Sequence, residues 1–395
     1  MRSAVVVGAG IGGLAAAGAL ARSGWKVTLL ERDDRLRPGK AALVLWPNGV
    51  RALRALGLAG GLDGISTPVP PAGIRRPDGT WLVQPGPQPG GVGDLETPPV
   101  VVHREDLHDA FIAGLGEQVD VRGGIAVQSA RVRRDRPAVG DGRVTFEADL
   151  IVAADGPDSA VRRRLVAAST FTSAGFAAWR AVIPWYRAPE IPAGTAPHGE
   201  LLGGGQRFGY ASLGERGSAG GSTRGGIYWV VTVPGALRPE PPAGQLALLR
   251  RWFAGWPAPV PQLLAATEAE DLVQEPVGEV TPLPETFGVV AGAGGFALVG
   301  DAAHAMPHHL AQGASLALED VATLQTVLAG LAVPAALSEY NRLRKPRIQR
   351  VLQQTHKAAG VLQVRGRIAS SIARVNPRTL ERAAAAATEW GGPTG

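Results

Sequence analysis

The start of the chain alternates between short apolar runs and a helical pattern. Residues 4–7 are all alanine or valine, residues 14–22 carry alanine and leucine at helical spacing, and residues 26–30 form a second apolar run. Gly24 follows the helical segment, where glycine commonly ends a helix. The pattern predicts a β-strand, an α-helix and a second β-strand, which is a usual beginning of an α/β fold.

Four segments farther along the chain continue this pattern. Residues 150–154 and 296–299 are apolar runs of strand type, and residues 106–115 and 315–328 have apolar positions at helical spacing. A polar turn separates the run at 296–299 from the last of these helices. The order of strand, turn and helix therefore recurs in the second half of the chain.

The region between these segments has a different pattern. Residues 209–213 and 227–233 contain aromatic and apolar side chains in alternation, which is typical of antiparallel strands. The Gly- and Ser-rich residues 214–226 between them predict a long, flexible hairpin. From residue 334 the chain is predicted to be helical, and it ends in a helix at residues 383–387 with a frayed tail.

A chain of 395 residues is longer than the roughly 250–300 residues at which a single core stops growing. We therefore expect an α/β protein with a Rossmann-like domain, an inserted antiparallel-sheet domain and C-terminal helices. The Pro- and Gly-rich residues 68–99 are interpreted as an excursion into the inserted domain, with a mobile loop as the alternative. The predicted division is a discontinuous Rossmann-like domain of residues 1–68, 100–168 and 286–360, an inserted substrate domain of residues 69–99 and 169–285, and a C-terminal helical segment of residues 361–395.

The turn between the first strand and the first helix has glycines at GxGxxG spacing. In this context Gly8 permits the tight turn, Gly10 lets a pyrophosphate approach the backbone, and Gly13 allows the helix to pack closely on the strand. Glu31 and Arg32 follow the second strand, where a carboxylate can bind ribose hydroxyls. These residues predict a dinucleotide site, but the glycines leave open whether the dinucleotide is NAD or FAD.

A second candidate site follows the strand at residues 296–299. Asp301, at the end of this strand, can accept hydrogen bonds from sugar-alcohol hydroxyls. The backbone amides of Gly313 and Ala314 lie at the predicted positive end of a helix, where they suit a delocalised anion such as a reduced isoalloxazine. The combination indicates a flavin site.

Three segments of the chain resemble the class A flavin-dependent monooxygenases, the aromatic hydroxylases typified by salicylate and para-hydroxybenzoate hydroxylases. They are the glycine turn at residues 8–13, residues 155–162 and residues 300–314, and their order and separation match that family. The resemblance implies FAD as the cofactor. Because the chain has no cysteine, a cysteinyl linkage is excluded and FAD is expected to bind non-covalently.

The resemblance also implies roles for individual residues. Asp155 and Gly156 match the family's DG motif, which serves both FAD and the passing nicotinamide. Asp301 matches the aspartate that holds the ribityl chain, and Arg104 matches an arginine beside the flavin diphosphate. Pro307 is expected to form a wall beside the flavin ring, where it offers no N–H group.

The activity that the resemblance implies is oxygen insertion into a small molecule. NADH or NADPH reduces FAD, the reduced flavin and O2 form a C4a-hydroperoxide, and its distal oxygen hydroxylates or epoxidises an aromatic or polycyclic substrate. Two alternatives stay open: a flavin-dependent dehydrogenase or halogenase-like enzyme without oxygen insertion, and a non-enzymatic flavin-binding protein. Residues 179–184 partly match a halogenase signature, but Ala181 stands where its second tryptophan belongs.

The resemblance does not cover the substrate pocket. Tyr210, Arg180 and His309 are candidates to orient or deprotonate a phenol or heteroaromatic ring, as is Tyr228. Each of them is alternatively a sheet residue whose polar group is satisfied within the protein. We expect the substrate to lie between the flavin and the sheet that carries Tyr210 and Trp229.

Composition narrows the expected partners. The formal net charge is +6, but basic and acidic residues are interspersed, so no nucleic-acid partner is expected. No apolar stretch approaches the ~20 residues that span a membrane, and no signal peptide precedes the first strand, so we expect a cytoplasmic protein. The oligomeric state stays open between a monomer and a homodimer.

Two polar clusters are interpreted as structural. His304, His308 and His309 lack the spacing and the neighbouring carboxylates of a metal site, so no metal is expected. Glu319 and Asp320 are interpreted as a polar face near the start of a helix.

Overall fold

A computed structural model describes residues 1–69, 73–84, 97–192, 195–215, 224–362 and 378–394. Its strands are β1 (Ser3–Val7), β2 (Lys26–Leu30), β3 (Ala42–Leu45), β4 (Ser66–Pro68), β5 (Ile74–Arg75), β6 (Trp81–Val83), β7 (Val100–His103), β8 (Val119–Arg122), β9 (Ser129–Arg133), β10 (Arg136–Gly140), β11 (Thr145–Glu147), β12 (Leu150–Ala153), β13 (Thr170–Ile183), β14 (His198–Gly203), β15 (Gln206–Ser212), β16 (Ile227–Pro234), β17 (Val273–Thr281), β18 (Gly288–Ala291) and β19 (Gly294–Leu298). Its helices are α1 (Ile11–Arg22), α2 (Pro47–Ala55), α3 (Arg104–Ala113), α4 (Ala160–Leu165), α5 (Pro242–Trp252), α6 (Val260–Ala266), α7 (Asp301–His304), α8 (Gly313–Gly330), α9 (Val333–Leu362) and α10 (Arg378–Thr388).

A six-stranded sheet, ordered β18-β19-β12-β1-β2-β8, contains the apolar runs identified in the sequence. Neighbouring strands pair in parallel except for β18, which forms an antiparallel hairpin with β19. The central strands are buried along their length because α1, α9 and the small sheet β11-β10-β9 pack against this sheet. The strands predicted at the four apolar runs are confirmed.

A seven-stranded, mainly antiparallel sheet has the order β17-β13-β16-β15-β14-β5-β6. β15 and β16 pair as antiparallel neighbours, which confirms the two predicted strands. Most of the flexible hairpin predicted between them, residues 216–223, lies outside the described residues. β5 and β6 form one edge of the sheet, so the described part of the Pro- and Gly-rich segment contributes strands to it. The domain boundaries themselves stay a prediction.

The two faces of the seven-stranded sheet have different surroundings. Trp179, Phe208 and Trp229 lie on one face and form a buried core with Leu249 of α5 and Leu263 of α6. Successive side chains along a strand point to opposite faces. The residues between these large apolar side chains therefore point to the second face, which borders the candidate site.

The helical predictions are also confirmed. The segments at 106–115 and 315–328 correspond to α3 and α8, and the helix expected at 383–387 lies within α10. α8 packs against α1, α2 and α9. Across the described ranges, no helix combines the length and the apolar character that crossing a membrane requires.

Candidate active site

A cavity of about 910 Å³ lies between the turns that follow β1, β12 and β19 and the second face of the seven-stranded sheet. Ligands of open α/β sheets bind outside the carboxyl ends of the strands, and the volume is within the range of small-molecule sites. The residues predicted from the sequence that border this cavity are Gly10, Arg32, Arg104, Gly156, Arg180, Tyr210, Tyr228, Asp301, Pro307, His309, Gly313 and Ala314. The fold thus gathers candidates from the whole length of the chain at one place.

The three glycines of the first turn are required for different geometric reasons. Gly8 has a φ of +95°, and a Cβ added there would lie 2.5 Å from Ala154 O. A Cβ added at Gly13 would lie 1.8 Å from Gly8 O. At Gly10 an added Cβ would meet no atom within 4 Å, and this residue borders the cavity. Gly8 and Gly13 therefore close the turn, whereas Gly10 leaves the backbone open to a ligand.

The end of β2 is tied to this turn by Glu31. Its Oε2 accepts a hydrogen bond of 2.8 Å from Ala9 N, and its Oε1 accepts one of 3.2 Å from Asp33 N. Arg32 and Arg104 border the cavity. This end of the cavity therefore carries positive charge, which suits a diphosphate.

The loop after β12 is shaped by Asp155. Its Oδ2 accepts hydrogen bonds from Ala160 N at 2.8 Å and Val161 N at 3.3 Å, at the start of α4. Burial raises the pKa of Asp155 above its usual value, although these hydrogen bonds oppose the shift. Gly156 has a φ of +80° and borders the cavity. The aspartate therefore fixes the loop, and the glycine presents the loop to the cavity.

Arg162 joins this loop to the turn after β19. Its buried guanidinium donates to Pro157 O at 2.5 Å and to Ala302 O at 2.9 Å. One side chain thus holds together two segments that border the cavity. The linking role of Arg162 could not be predicted from the sequence, because its acceptors are backbone carbonyls, which any residue type provides.

Asp301 is the first residue of α7 and follows Gly300, whose φ is +58°. Asp301 is accessible from the cavity. The surrounding protein keeps much of the bulk water from its carboxyl group and raises the pKa of Asp301, and the nearby His304 and Arg104 oppose the shift. Asp301 therefore lies where a ligand in the cavity can reach it.

The N-terminus of α8 lies beside this carboxylate. A Cβ added at Gly313 would lie 3.8 Å from Asp301 Oδ1. Leu316 N donates to Gln312 O at 2.9 Å, so the amides of Gly313 and Ala314 precede the hydrogen-bond ladder of the helix. These amides are at the positive end of the helix dipole, as predicted.

The opposite wall of the cavity is polar and consists of paired charges. Arg180 on β13 forms an ion pair with Glu275 on β17, with 3.3 Å between Nη1 and Oε2. Arg207 on β15 pairs with Glu200 on β14, with 2.6 Å between Nε and Oε1. Tyr228 on β16 shares this face; burial raises the pKa of its hydroxyl, and Arg180 opposes the shift. Each of these two arginines is thus neutralised by its own glutamate.

Two histidines complete this wall. His308 Nε2 lies 2.7 Å from Thr232 Oγ1. Burial, assisted by the charge of Arg180, holds the pKa of His308 well below its ordinary value, so the ring is neutral near pH 7. The ring of His309 stacks on that of His308 with 6.0 Å between centroids, and its carbonyl accepts a hydrogen bond from Arg207. Among the described residues, no group of three or more His, Cys, Asp or Glu side chains is arranged to hold a metal ion.

The structure corrects the expected position of Trp229, which is not among the residues that border the cavity, whereas the role predicted for Tyr210 stays a prediction. The two residues are paired on β15 and β16, and both side chains belong to the core on the face that packs against α5 and α6. Although Tyr210 borders the cavity, its hydroxyl donates to Ala196 O at 3.2 Å, and Trp229 Nε1 donates to Thr267 Oγ1 at 2.9 Å. Because side chains alternate along a strand, Tyr228 instead points to the cavity face.

The interpretation of Glu319 and Asp320 as a polar face is wrong. Both side chains are completely buried. They form ion pairs with Arg344, each with 2.7 Å between charged atoms, and Glu319 also pairs with Arg347 at 2.8 Å. The partners lie on α9, which packs along α8 and carries the compensating charge.

The fold and the cavity together define a flavoenzyme. A family model described as FAD binding domain matches residues 1–184 and 270–355, and the chain belongs to this family. Within it the chain is a class A FAD-dependent aromatic monooxygenase, which confirms the resemblance seen in the sequence.

Similar proteins agree with this assignment over nearly the whole chain. Aurachin C monooxygenase/isomerase of Stigmatella aurantiaca is 30% identical over 357 residues, covering 87% of this chain and 85% of the relative. FAD-dependent urate hydroxylase of Klebsiella pneumoniae is 29% identical over 372 residues, covering 91% of this chain and 90% of the relative. The solved structure of Klebsiella pneumoniae HpxO complexed with FAD and uric acid has a TM-score of 0.82 at 25% identity, covering 100% of this chain and 98% of that chain. The predicted FAD-dependent monooxygenase function, with NAD(P)H and O2, is confirmed, and the dehydrogenase and halogenase-like alternatives gain no support.

Proposed function

We propose that this monooxygenase hydroxylates a planar heteroaromatic substrate without a carboxylate group, bound against the polar face of the seven-stranded sheet. The observation that carries the proposal is the pairing of Arg180 with Glu275 and of Arg207 with Glu200. A substrate carboxylate would have to compete with one of these partly exposed glutamates for its arginine and would place a second negative charge beside it, which is unfavourable. A ring that carries hydroxyl, carbonyl or N–H groups needs no such displacement. Relatives are named for urate, an uncarboxylated heterocycle, and for 6-hydroxynicotinate, a carboxylated one, so the proposal rests on the two ion pairs of this chain.

Neutral polar groups on the same face of the sheet can orient the substrate. The raised pKa of Tyr228 keeps its hydroxyl protonated near pH 7, so it can donate a hydrogen bond to a ring oxygen. His308 is neutral and is held by Thr232. The guanidinium of Arg180 can donate a hydrogen bond to a ring oxygen. Arg180, Tyr228 and His309 are therefore the proposed substrate contacts, and Tyr210 is not among them.

The other wall is proposed to hold FAD. Gly10 leaves room for the diphosphate, Arg104 supplies a positive charge, and Asp301 accepts hydrogen bonds from the ribityl hydroxyls. The amides at Gly313 would face the isoalloxazine, and Pro307 would border the ring without an N–H group. When bound, FAD carries electrons from NAD(P)H to O2 and delivers one oxygen atom to the substrate.

The proposal is tested with matched pairs of ring compounds that differ only in a carboxylate. NAD(P)H oxidation and O2 uptake are measured for the FAD-loaded enzyme with hydroxylated quinolines and pyridines and with their carboxylated counterparts. We expect the uncarboxylated compounds to stimulate oxidation at least tenfold more strongly. The Glu275→Gln variant releases Arg180 from its partner and is expected to improve binding of the carboxylated compounds. A preference of the unaltered enzyme for carboxylated rings would overturn the proposal.

A further inference from the structure

Beneath the cavity, α8 and α9 enclose four charged side chains, here called the α8–α9 charge cluster. Its members are Glu319, Asp320, Arg344 and Arg347, which are 0%, 0%, 1% and 8% exposed. Arg344 donates to Asp320 Oδ1 and to Glu319 Oε2, both at 2.7 Å. Arg347 donates to the two oxygens of Glu319 at 2.8 and 3.1 Å. The two carboxylates and the two guanidinium groups compensate each other within the protein.

Asp320 connects this cluster to the turn that carries Asp301. Its Oδ2 accepts a hydrogen bond of 2.8 Å from Gly300 N and lies 2.6 Å from His304 Nε2. Gly300 immediately precedes Asp301, and His304 is the last residue of α7. A single carboxylate oxygen therefore holds both ends of the short helix whose first residue faces the cavity.

Glu319 connects the cluster to the second cofactor-facing element. Asn48 Nδ2 donates to Glu319 Oε1 at 2.7 Å and to Gln312 Oε1 at 2.9 Å. Gln312 immediately precedes Gly313, where α8 begins. The two neighbouring carboxylates thus reach the two elements that are proposed to contact the flavin.

Stability alone does not account for such a cluster. Replacing buried ion pairs with apolar side chains of similar volume is often neutral or stabilising, so stability does not require these charges. Burial would raise the pKa of Asp320, but His304 and Arg344 bring it below its usual value overall. The carboxylate is therefore ionised near neutral pH and can accept both hydrogen bonds at Oδ2.

We propose that Asp320 is a positioning residue for FAD: it fixes Gly300 and His304, and through them the placement of Asp301 at the cavity wall. The inference rests on the proposed contact between Asp301 and the cofactor. Asp320 itself is completely buried and acts only through the turn.

The test compares Asp320→Asn with Arg347→Gln. Both variants remove one charge from the same cluster, but Arg347 bonds to Glu319 and to the carbonyls of Ala386 and Ala387 rather than to the turn. In Arg347→Gln, Glu319 keeps Arg344 and Asn48 as partners, so its link to Gln312 is retained. The dissociation constant of FAD is measured by titrating apoprotein with FAD and following flavin fluorescence. The visible absorption band of the bound flavin and the unfolding midpoint of the apoprotein are recorded for each variant.

We expect both variants to lower the unfolding midpoint. Asp320→Asn should also raise the dissociation constant at least tenfold and shift the flavin absorption band, whereas Arg347→Gln should change the constant less than threefold. Equal changes in the two variants, or an unchanged constant in folded Asp320→Asn, would overturn the proposal. If Asp320→Asn does not fold, His304→Gln removes the contact between His304 and Asp320 instead. An unchanged FAD dissociation constant in that variant would also overturn the proposal.

A third variant separates this inference from the proposed function. Asp301→Asn removes the charge of the proposed cofactor contact and should weaken FAD binding. If it does not, the proposed role of Asp301 fails. If Asp301→Asn weakens binding and Asp320→Asn does not, only the positioning role of Asp320 fails.

Discussion

Gly10→Ala is expected to weaken cofactor binding without weakening folding, whereas Gly13→Ala is expected to weaken folding. Both substitutions add one methyl group to the same turn. At Gly13 the added Cβ would lie 1.8 Å from Gly8 O, a backbone atom that cannot rotate away. At Gly10 the added Cβ would meet no atom within 4 Å and would project into the cavity.

The expected changes in folding stability and in FAD affinity follow from the surroundings of each glycine. Overpacking costs about 1–3 kcal/mol, and the backbone contact places Gly13→Ala at or above the upper end. Gly10 has a φ of −72° and a ψ of −177°, which alanine adopts without strain, so Gly10→Ala should leave folding unchanged or stabilise it by about 0.4–1 kcal/mol. A methyl group that keeps a phosphate from the backbone amides removes a charged hydrogen bond of about 1.5–3 kcal/mol, or roughly ten- to hundredfold in FAD affinity.

Two measurements on the apoproteins check this prediction. Near-UV circular dichroism gives the unfolding midpoint, and quenching of flavin fluorescence gives the FAD dissociation constant. The reasoning is refuted if Gly13→Ala unfolds at the midpoint of the unaltered protein. It is equally refuted if Gly10→Ala binds FAD within twofold of the unaltered protein.

Three further predictions concern the cavity walls. Tyr228→Phe should lower kcat/KM about 5- to 150-fold through loss of a substrate hydrogen bond of about 1–3 kcal/mol, whereas Tyr210→Phe should leave kcat/KM within about twofold and lower the unfolding midpoint. Equal kinetic effects would contradict the assignment of the two faces. Gly313→Pro removes one amide donor and strains the turn, because Gln312 before it has helical dihedrals that a following proline disfavours. In the folded, FAD-loaded variant the flavin midpoint potential should fall by roughly 30 mV, and an unchanged potential in spectroelectrochemical titration would argue against the amide's role. The folded-state pKa of Asp320 is lowered, so its contribution to stability is complete above the unfolded pKa of about 3.9 and is lost as the pH falls through the lower folded value. The stability difference between the unaltered protein and Asp320→Asn should therefore shrink below about pH 4, and a difference that is constant from about pH 6 to pH 3 in denaturant titrations would count against it.

The parts of the site that could be predicted from the sequence depend on local geometry. Gly8, Gly10 and Gly13 belong to one turn between a strand and a helix, and their spacing alone indicates why each lacks a side chain. Asp301 and Gly313 are likewise separated only by the rest of the short helix α7 and one loop. In these cases the neighbours that matter are close in the sequence.

The parts that were missed depend on contacts between distant segments. Alternation along β15 and β16 relates Tyr210 to Trp229, but both faces of this sheet carry large side chains, so the sequence does not show which face borders the cavity. Glu319 and Asp320 occupy positions that are equally compatible with an exposed helix face. Only the packing of α9 on α8, which brings Arg344 to them, shows that they are buried.

The most direct test of the central claim is the fate of labelled dioxygen. The FAD-loaded enzyme is supplied with NAD(P)H, ¹⁸O2 and the uncarboxylated heteroaromatic compound that stimulates oxidation most strongly, and the product is analysed by mass spectrometry. The account predicts a hydroxylated product that carries one labelled oxygen atom. A product that forms without the label while NAD(P)H is consumed would contradict oxygen insertion by this enzyme.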